Sequence, residues 1–203
     1  MFTNTSFRIK GFLAVCKSEL ILRDQVLFHL LIYTGARKGE LLALSWDDID
    51  FEARTVRLFK TLFQDRGQFI IQTPKTRVSK RFISLDGNTL KLLKKWRIEQ
   101  KNLNLAASGF IEGNNLVFSR DDGSPMRLAY PNEKLDILIK KHDLHRITIH
   151  GLRYTHASLF ASIKEVQERL GHSDIQMTMN IYTHVTEYVK EQIAEKFQRY
   201  LDL

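Results

Sequence analysis

The sequence has little cysteine, little proline and no long apolar run. Its one cysteine, Cys16, excludes an internal disulfide and is typical of a protein kept in a reducing compartment. No segment approaches the roughly 20 consecutive apolar residues that a membrane-spanning helix requires. We therefore expect a cytoplasmic protein with no membrane partner.

The sequence also lacks the signatures of several enzyme classes. It has no glycine-rich phosphate loop, which argues against a nucleoside triphosphate site, and no strand–turn–helix nucleophile elbow of a serine hydrolase. His150 and His156 are six residues apart, and His172 and His184 are twelve apart. Neither spacing is typical of zinc ligands, and no cysteine pair accompanies them. We expect no metal and no cofactor.

Positive charge is in excess. Thirty-one Lys and Arg against 23 Asp and Glu give a net charge of +8 and a pI near 9.6. A pI above 9 favours a polyanionic partner such as nucleic acid. The alternative is an excess spread evenly over a solvated surface, and charge alone does not decide between the two.

Apolar periodicity predicts one mostly helical domain with a small sheet. Three short β-rich segments, 55–60, 68–73 and 80–85, are separated by turn residues and predict a three-stranded antiparallel meander. In the first two thirds of the chain the predicted helices are 18–34, ended by Gly35, a short helix within 37–46, 88–104, capped by Asn88, and 131–142, with Pro131 in its first turn. Three further helices are predicted to begin at Thr148, at Ser162 with Glu165, and at Ser173 with Gln176. A C-terminal helix is predicted from an apolar stripe that runs from Val185 to Leu201.

Two residues near one predicted helix start suit a phosphate. His150 and Arg153 are three residues apart, so their side chains share a helix face. A guanidinium can bind two phosphate oxygens at once, and a helix N-terminus favours an anion. The alternative is a surface arginine beside a capping histidine.

Other candidates are equally ambiguous when taken singly. Arg37 follows a turn and is either a phosphate ligand or an arginine held by Glu40. Lys75 lies in a basic turn between strands, which is either solvated or folded over a phosphate backbone. Tyr182 is either a packed aromatic residue or a phenol that attacks phosphorus, provided that the phosphate charge is neutralised nearby.

Taken together, these residues carry a family likeness. The chain resembles the catalytic domain of tyrosine recombinases, the family of phage and transposon integrases. The resemblance rests on four boxes in the family order, which are TGARKGELLALSWDDID, TPKTRVSKRFISL, HGLRYTHASLF and LGHSDIQMTMNIYTH. It implies a mainly α fold with a small antiparallel sheet, of the DNA breaking-rejoining type.

The resemblance also implies a role for each matching residue. Arg37 and Arg153 would bind the non-bridging oxygens of the scissile phosphate, and Glu40 would brace Arg37. Lys75 would protonate the departing 5′-hydroxyl as a general acid. His150 and His172 would donate hydrogen bonds to the phosphate or assist proton transfer. Tyr182 would attack the phosphorus to form a 3′-phosphotyrosyl link.

The implied activity is site-specific integration and recombination of double-stranded DNA, without ATP or metal, by a homo-tetramer joined through the C-terminal helix. Residues 1–203 would form a single catalytic domain, a C-terminal fragment without the core-binding and arm-binding domains, and so would bind DNA weakly and with strong salt dependence.

Two departures from the family pattern are a short connection at 160–163 and Tyr154, where many members carry histidine. We expect the change at Tyr154 to matter little for the chemistry.

Two alternatives stay open. A type IB topoisomerase-like enzyme uses a similar residue set to relax supercoils as a monomer. A DNA-binding module could retain the four boxes only for the fold. The competent residue type at every implied catalytic position argues against the second alternative.

Overall fold

The structure, a computed structural model, describes residues 5–73, 80–106, 115–158 and 163–171, with the single positions 176 and 179. Within these ranges the chain forms helices and short antiparallel strands. The helices are α1 (Thr5–Glu19), α2 (Leu22–Thr34), α3 (Lys38–Leu42), α4 (Gly87–Ala106), α5 (Tyr130–Lys141), α6 (Ile149–Ser158) and α7 (Ile163–Leu170). The strands are β1 (Ile49–Asp50), β2 (Thr55–Leu58), β3 (Thr61–Asp65), β4 (Gln68–Gln72) and β5 (Arg81–Ser84).

Helix α2 forms the centre of the core. Its apolar side chains are buried around most of its circumference, since α1, α4 and α6 all pack against it. Phe12 of α1 meets Phe28 edge to face, with ring centroids 5.6 Å apart. The predicted stop is confirmed, because Gly35 adopts a left-handed conformation with φ 60°. The predicted start at residue 18 is wrong, since α2 begins at Leu22 and a separate helix precedes it.

The prediction of a small antiparallel sheet is confirmed, but the predicted pairing of its strands is wrong. One antiparallel sheet has three strands, in the order β1-β2-β5. The segment 68–73, predicted as the middle strand of a meander, instead contributes β4, which pairs with β3 in a separate two-stranded hairpin. The strand that completes the larger sheet is β1, which the sequence pattern did not indicate.

Three helix starts can be compared with the predicted caps. Thr148 caps α6 as predicted, since its Oγ1 accepts a hydrogen bond from the Gly151 amide at 2.9 Å. Pro131 lies in the first turn of α5, also as predicted. The cap of α4 is Asp86 rather than Asn88, because the Asp86 carboxylate accepts from the backbone amides of Asn88 and Thr89.

Several predicted features lie outside the described residues. They are the capping residue Ser162, the connection at 160–163, the short helix after Ser173 and the C-terminal apolar stripe. Among the helices that are described, none is both long enough and apolar enough to cross a bilayer.

Candidate active site

A cavity of about 450 Å³ opens where α3, β3, α5 and α6 meet. Its cationic side chains are Arg37, Lys38 and Arg153, and His150 lies beside them. The full lining is Ala36, Arg37, Lys38, Gly39, Thr61, Leu62, Leu128, Asn132, Thr148, Ile149, His150 and Arg153. Three residues predicted separately from two distant boxes therefore line one cavity, and its charge suits an anion.

Arg37 is held by the expected acidic partner. Its backbone amide donates to Oε2 of Glu40 at 2.7 Å, and its Nη1 donates to Oε1 at 3.1 Å. The Arg37 side chain is still 40% exposed, whereas that of Glu40 is 4% exposed. The buried Glu40 carboxylate thus orients the Arg37 guanidinium, and much of that guanidinium stays accessible from the cavity.

Arg153 enters the cavity from a buried position. Its side chain donates from Nη1 to the carbonyl of Gly35 and from Nη2 to the carbonyl of Leu170, at 2.5 and 2.7 Å. Burial, together with the nearby charge of Arg37, lowers the pKa of Arg153 to about 9. The guanidinium is therefore charged at neutral pH and fixed by two backbone groups.

His150 is exposed at the cavity rim on the first turn of α6. Burial of part of the ring, with the charges of Arg153 and Arg37, lowers the pKa of His150 below 6.5. The imidazole is thus mainly neutral at pH 7. Its Nε2 lies 3.1 Å from the hydroxyl of Tyr154, and the two rings meet edge to face. The residue that departs from the family pattern therefore contacts this histidine directly.

The sequence prediction missed a second arginine on Glu40. Arg81 donates from Nη1 to Oε1 and from Nη2 to Oε2 of Glu40, at 3.1 and 2.8 Å. The strand carrying it alternates buried and exposed positions, with Arg81 on the buried side together with Ile83. The sequence pattern could have indicated this contact, because Arg81 falls on the apolar face of the predicted strand and a buried charge needs a charged partner.

Glu40 remains ionised despite burial. Desolvation alone would raise its pKa, but the hydrogen bonds and charges of Arg81 and Arg37 outweigh that effect and lower the pKa of Glu40. The Glu40 carboxylate thus compensates part of the charge of three guanidinium groups, those of Arg37, Arg81 and the nearby Arg153. The remaining excess is positive and faces the cavity.

The other three predicted site residues, Lys75, His172 and Tyr182, lie outside the described residues. Their predicted roles stay predictions. The described residues contain no group of three or more His, Cys, Asp or Glu side chains arranged to hold a metal ion.

The sequence matches the phage integrase family over residues 5–188, and the chain belongs to that family. It is 32% identical over 186 residues to the ICEBs1 integrase of Bacillus subtilis (strain 168), a match that covers 88% of this chain and 50% of that protein. It is 33% identical over 190 residues to a tyrosine recombinase XerC-like protein of Caldanaerobacter subterraneus subsp. tengcongensis, with 85% and 48% covered. The chain spans about half the length of the curated relatives that it matches.

Solved structures share the fold. The Tn1549 transposon integrase, solved in complex with transposon right end DNA, superposes with a TM-score of 0.73 at 26% identity, covering 94% of this chain and 65% of that chain. The XerA recombinase superposes with a TM-score of 0.69 at 21% identity, covering 93% and 64%. The predicted tyrosine recombinase catalytic-domain fold is confirmed.

Proposed function

We propose that this chain carries out the strand-exchange chemistry of a site-specific DNA recombinase, cleaving and rejoining DNA through a 3′-phosphotyrosyl intermediate. The observation that carries the proposal is the convergence of Arg37, His150 and Arg153 on one cationic cavity. The relatives that the chain matches, an integrase and a tyrosine recombinase XerC-like protein, support the same reaction class.

Two guanidinium groups suit a phosphodiester. Arg37 is oriented by Glu40, and Arg153 is held by two backbone carbonyls, so neither side chain needs much reordering when an anion binds. Charge that develops on the non-bridging oxygens during attack is stabilised best by donors that are already oriented. Arg37 and Arg153 fill this role.

The bond changes balance without a co-reactant. The phenol oxygen of Tyr182 attacks phosphorus, and its proton passes to the neutral imidazole of His150, with His172 as the alternative acceptor. The bond from phosphorus to the 5′-oxygen breaks, and that oxygen takes a proton from Lys75. Attack by a 5′-hydroxyl on the phosphotyrosyl link reverses the step. The diester energy is conserved in the link, so ATP is not needed.

The experiment that tests this proposal traps the intermediate. The chain, and any longer polypeptide that contains it, are incubated with nicked duplexes prepared from the DNA that flanks the gene. An SDS-resistant protein–DNA adduct is expected with excess chelator and without ATP. The Tyr182→Phe variant should form no adduct and should retain DNA binding, because only the attacking oxygen is removed.

A second tyrosine in the same segment provides the matched control. Tyr188→Phe removes a phenol oxygen six residues further along the chain and should leave the adduct intact. An adduct that persists in Tyr182→Phe and disappears in Tyr188→Phe would show that the nucleophile is misassigned. Loss of the wild-type adduct on addition of chelator would overturn the metal-free mechanism.

The same reagents separate the alternatives. Relaxation of supercoiled plasmid by the monomer, without joining of strands from two duplexes, would indicate a type IB-like enzyme. DNA binding with no adduct from either polypeptide would indicate a DNA-binding module.

Assembly on DNA completes the proposal. We infer a homo-tetramer on paired sites, joined through the C-terminal segment 185–201, whose apolar residues recur every fourth position. Light scattering of the wild-type protein on its trapped DNA should give four chains per complex. Substituting Ile193 and Phe197 with serine should reduce that number and leave binding to a single site intact.

A further inference from the structure

The side chain of Arg81 joins three separate elements. It starts from the first residue of β5 and is 6% exposed. Two of its nitrogens bind Glu40 of α3, while its Nε donates to the carbonyl of Arg169 in α7 at 2.7 Å. A planar guanidinium can satisfy these directions at once, whereas an ammonium group cannot.

Glu40 is shared evenly between two arginines. Oε1 accepts one hydrogen bond from Nη1 of Arg37 and one from Nη1 of Arg81, both at 3.1 Å. Oε2 accepts from the Arg37 amide at 2.7 Å and from Nη2 of Arg81 at 2.8 Å. Each oxygen thus carries one bond from each arginine, and the carboxylate cannot rotate without breaking bonds to both. Arg81 therefore determines where Glu40 presents its oxygens to Arg37.

The end of α7 is held in a similar way. Arg81 binds the carbonyl of Arg169, and Arg153 binds the carbonyl of the next residue, Leu170. Carbonyls in the last turn of a helix lack intrahelical partners and carry partial negative charge, so cations suit them. Gly171, with φ 64°, ends the helix directly before His172 in the sequence.

We propose that Arg81 is a positioning residue for the cleavage step, because it links the carboxylate that orients Arg37 to the helix end that Arg153 also binds. The proposal rests on the proposed function, since it concerns the rate of that reaction. Arg81 acts through Glu40 and the end of α7 and does not itself line the cavity.

A positioning role and a merely structural role differ in single-turnover kinetics. With nicked duplex in saturating amount, the adduct amplitude reports the folded, competent fraction of the protein, and the rate constant reports the geometry of the competent site. For Arg81→Gln we expect an unchanged amplitude at low temperature and a rate constant lower by roughly ten- to a hundredfold, since small misplacements of phosphate ligands have effects of this size. DNA affinity should stay within about threefold.

Arg81→Lys tests the need for the guanidinium shape. It keeps a positive charge beside Glu40 but cannot make the three contacts together. We expect a rate constant between those of the wild type and Arg81→Gln. A Lys variant as fast as the wild type would show that charge alone matters and would overturn the positioning role.

Arg57→Gln is the matched control. Arg57 lies on β2 of the same sheet and pairs with another buried carboxylate, Asp48, at 3.2 Å. Its loss should lower thermal stability and leave the cleavage rate constant unchanged. If Arg81→Gln behaves the same way, with reduced amplitude and an unaltered rate constant, its role is structural and the proposal fails.

A cycle with Glu40 tests the route of action. Glu40→Gln and the double variant with Arg81→Gln are measured under the same conditions. If Arg81 acts through Glu40, the rate loss in the double variant is smaller than the product of the two single losses. Multiplicative losses would show independent action and would contradict the proposed link.

Amide hydrogen exchange gives a readout that does not depend on activity. In Arg81→Gln, peptides covering 36–42 and 163–171 should exchange faster, while those in α4 should not change. Failure of both the wild-type chain and a longer polypeptide that contains it to form an adduct would overturn the proposed function, and the exchange data would still decide whether Arg81 holds the two segments. Unchanged exchange in both segments would show that Arg81 does not hold them and would overturn the positioning role.

Discussion

The Nε of Arg169 donates a hydrogen bond to Nε2 of His156, with the two nitrogens 3.2 Å apart. On the other side of the ring, Nδ1 lies 2.9 Å from the carbonyl oxygen of Ile32. A carbonyl can only accept, so the imidazole proton is on Nδ1 and Nε2 is the acceptor. A buried neutral histidine of α6 thus connects α7 to the end of α2, close to the Arg153 side chain.

This arrangement predicts a loss of stability in mild acid. Burial, and secondarily the charge of Arg169, lowers the pKa of His156 from 6.5 to about 4. Between these values the unfolded chain binds a proton that the folded chain does not, so stability rises with pH. The contribution is complete above pH 6.5 and is lost as the pH falls towards 4, a total of about 3 kcal/mol. Urea denaturation at a series of pH values measures it.

Two variants isolate the histidine from the carboxylates, which also lose stabilising interactions in acid. His156→Gln should be less stable at neutral pH and should show a shallower pH dependence between 6.5 and 4. His145→Gln, at an exposed position, should keep the wild-type slope. The prediction is contradicted if His156→Gln retains the full slope.

Gly39 is predicted to be intolerant of even one methyl group. A Cβ at this position would lie 2.7 Å from Oγ1 of Thr61 and 2.8 Å from the backbone oxygen of Leu62. The backbone of β3 cannot move aside without disturbing its hairpin, so Gly39→Ala should cost about 1–3 kcal/mol. Gly11→Ala, in a helix with open space around it, should instead stabilise by about 0.5–1 kcal/mol. Equal thermal midpoints for the two variants would refute this account.

Tyr130 is predicted to contribute to stability through its hydroxyl group. The hydroxyl donates to the Asp24 carboxylate at 2.7 Å and accepts from Nη2 of Arg23 at 2.8 Å. The Asp24 side chain is 1% exposed, so Tyr130→Phe leaves a buried charge with weaker compensation and should cost about 1–3 kcal/mol. Tyr154→Phe, at an exposed residue whose hydroxyl contacts only the exposed His150 among the hydrogen bonds described, should change the unfolding free energy by less than about 0.5 kcal/mol. Chemical denaturation of both variants tests the difference.

Lys38 is predicted to contact a DNA phosphate, a prediction that rests on the proposed function. It lines the cavity, where its Nζ donates to Oδ1 of Asn132 at 2.9 Å. Lys38→Met should weaken binding of a labelled mixed-sequence duplex and reduce the slope of log affinity against log salt by about 0.9, the value for one phosphate contact. Fluorescence anisotropy across a potassium chloride series measures this slope. Lys91→Met, on the exposed face of α4, serves as the control, and an equal change there would contradict the assignment.

Features set by local chemistry were predicted well from the sequence. Gly35 ends α2, Thr148 caps α6 and Pro131 opens α5, because each depends on a few neighbouring residues. The spacing of His150 and Arg153 likewise places them on one helix face by geometry alone. The four boxes in order were enough to identify the family, which the comparison confirmed.

Features that depend on distant partners needed the tertiary structure. A β-rich segment such as 68–73 can pair with either neighbour in the sequence. In the fold it pairs with β3, the strand whose Thr61 and Leu62 lie against Gly39 of α3. Likewise, Arg81 reads in the sequence as one more cation of a basic hairpin. Only the fold places it inside the core against Glu40, because the low exposure that makes a charge require a partner is a property of the packed chain.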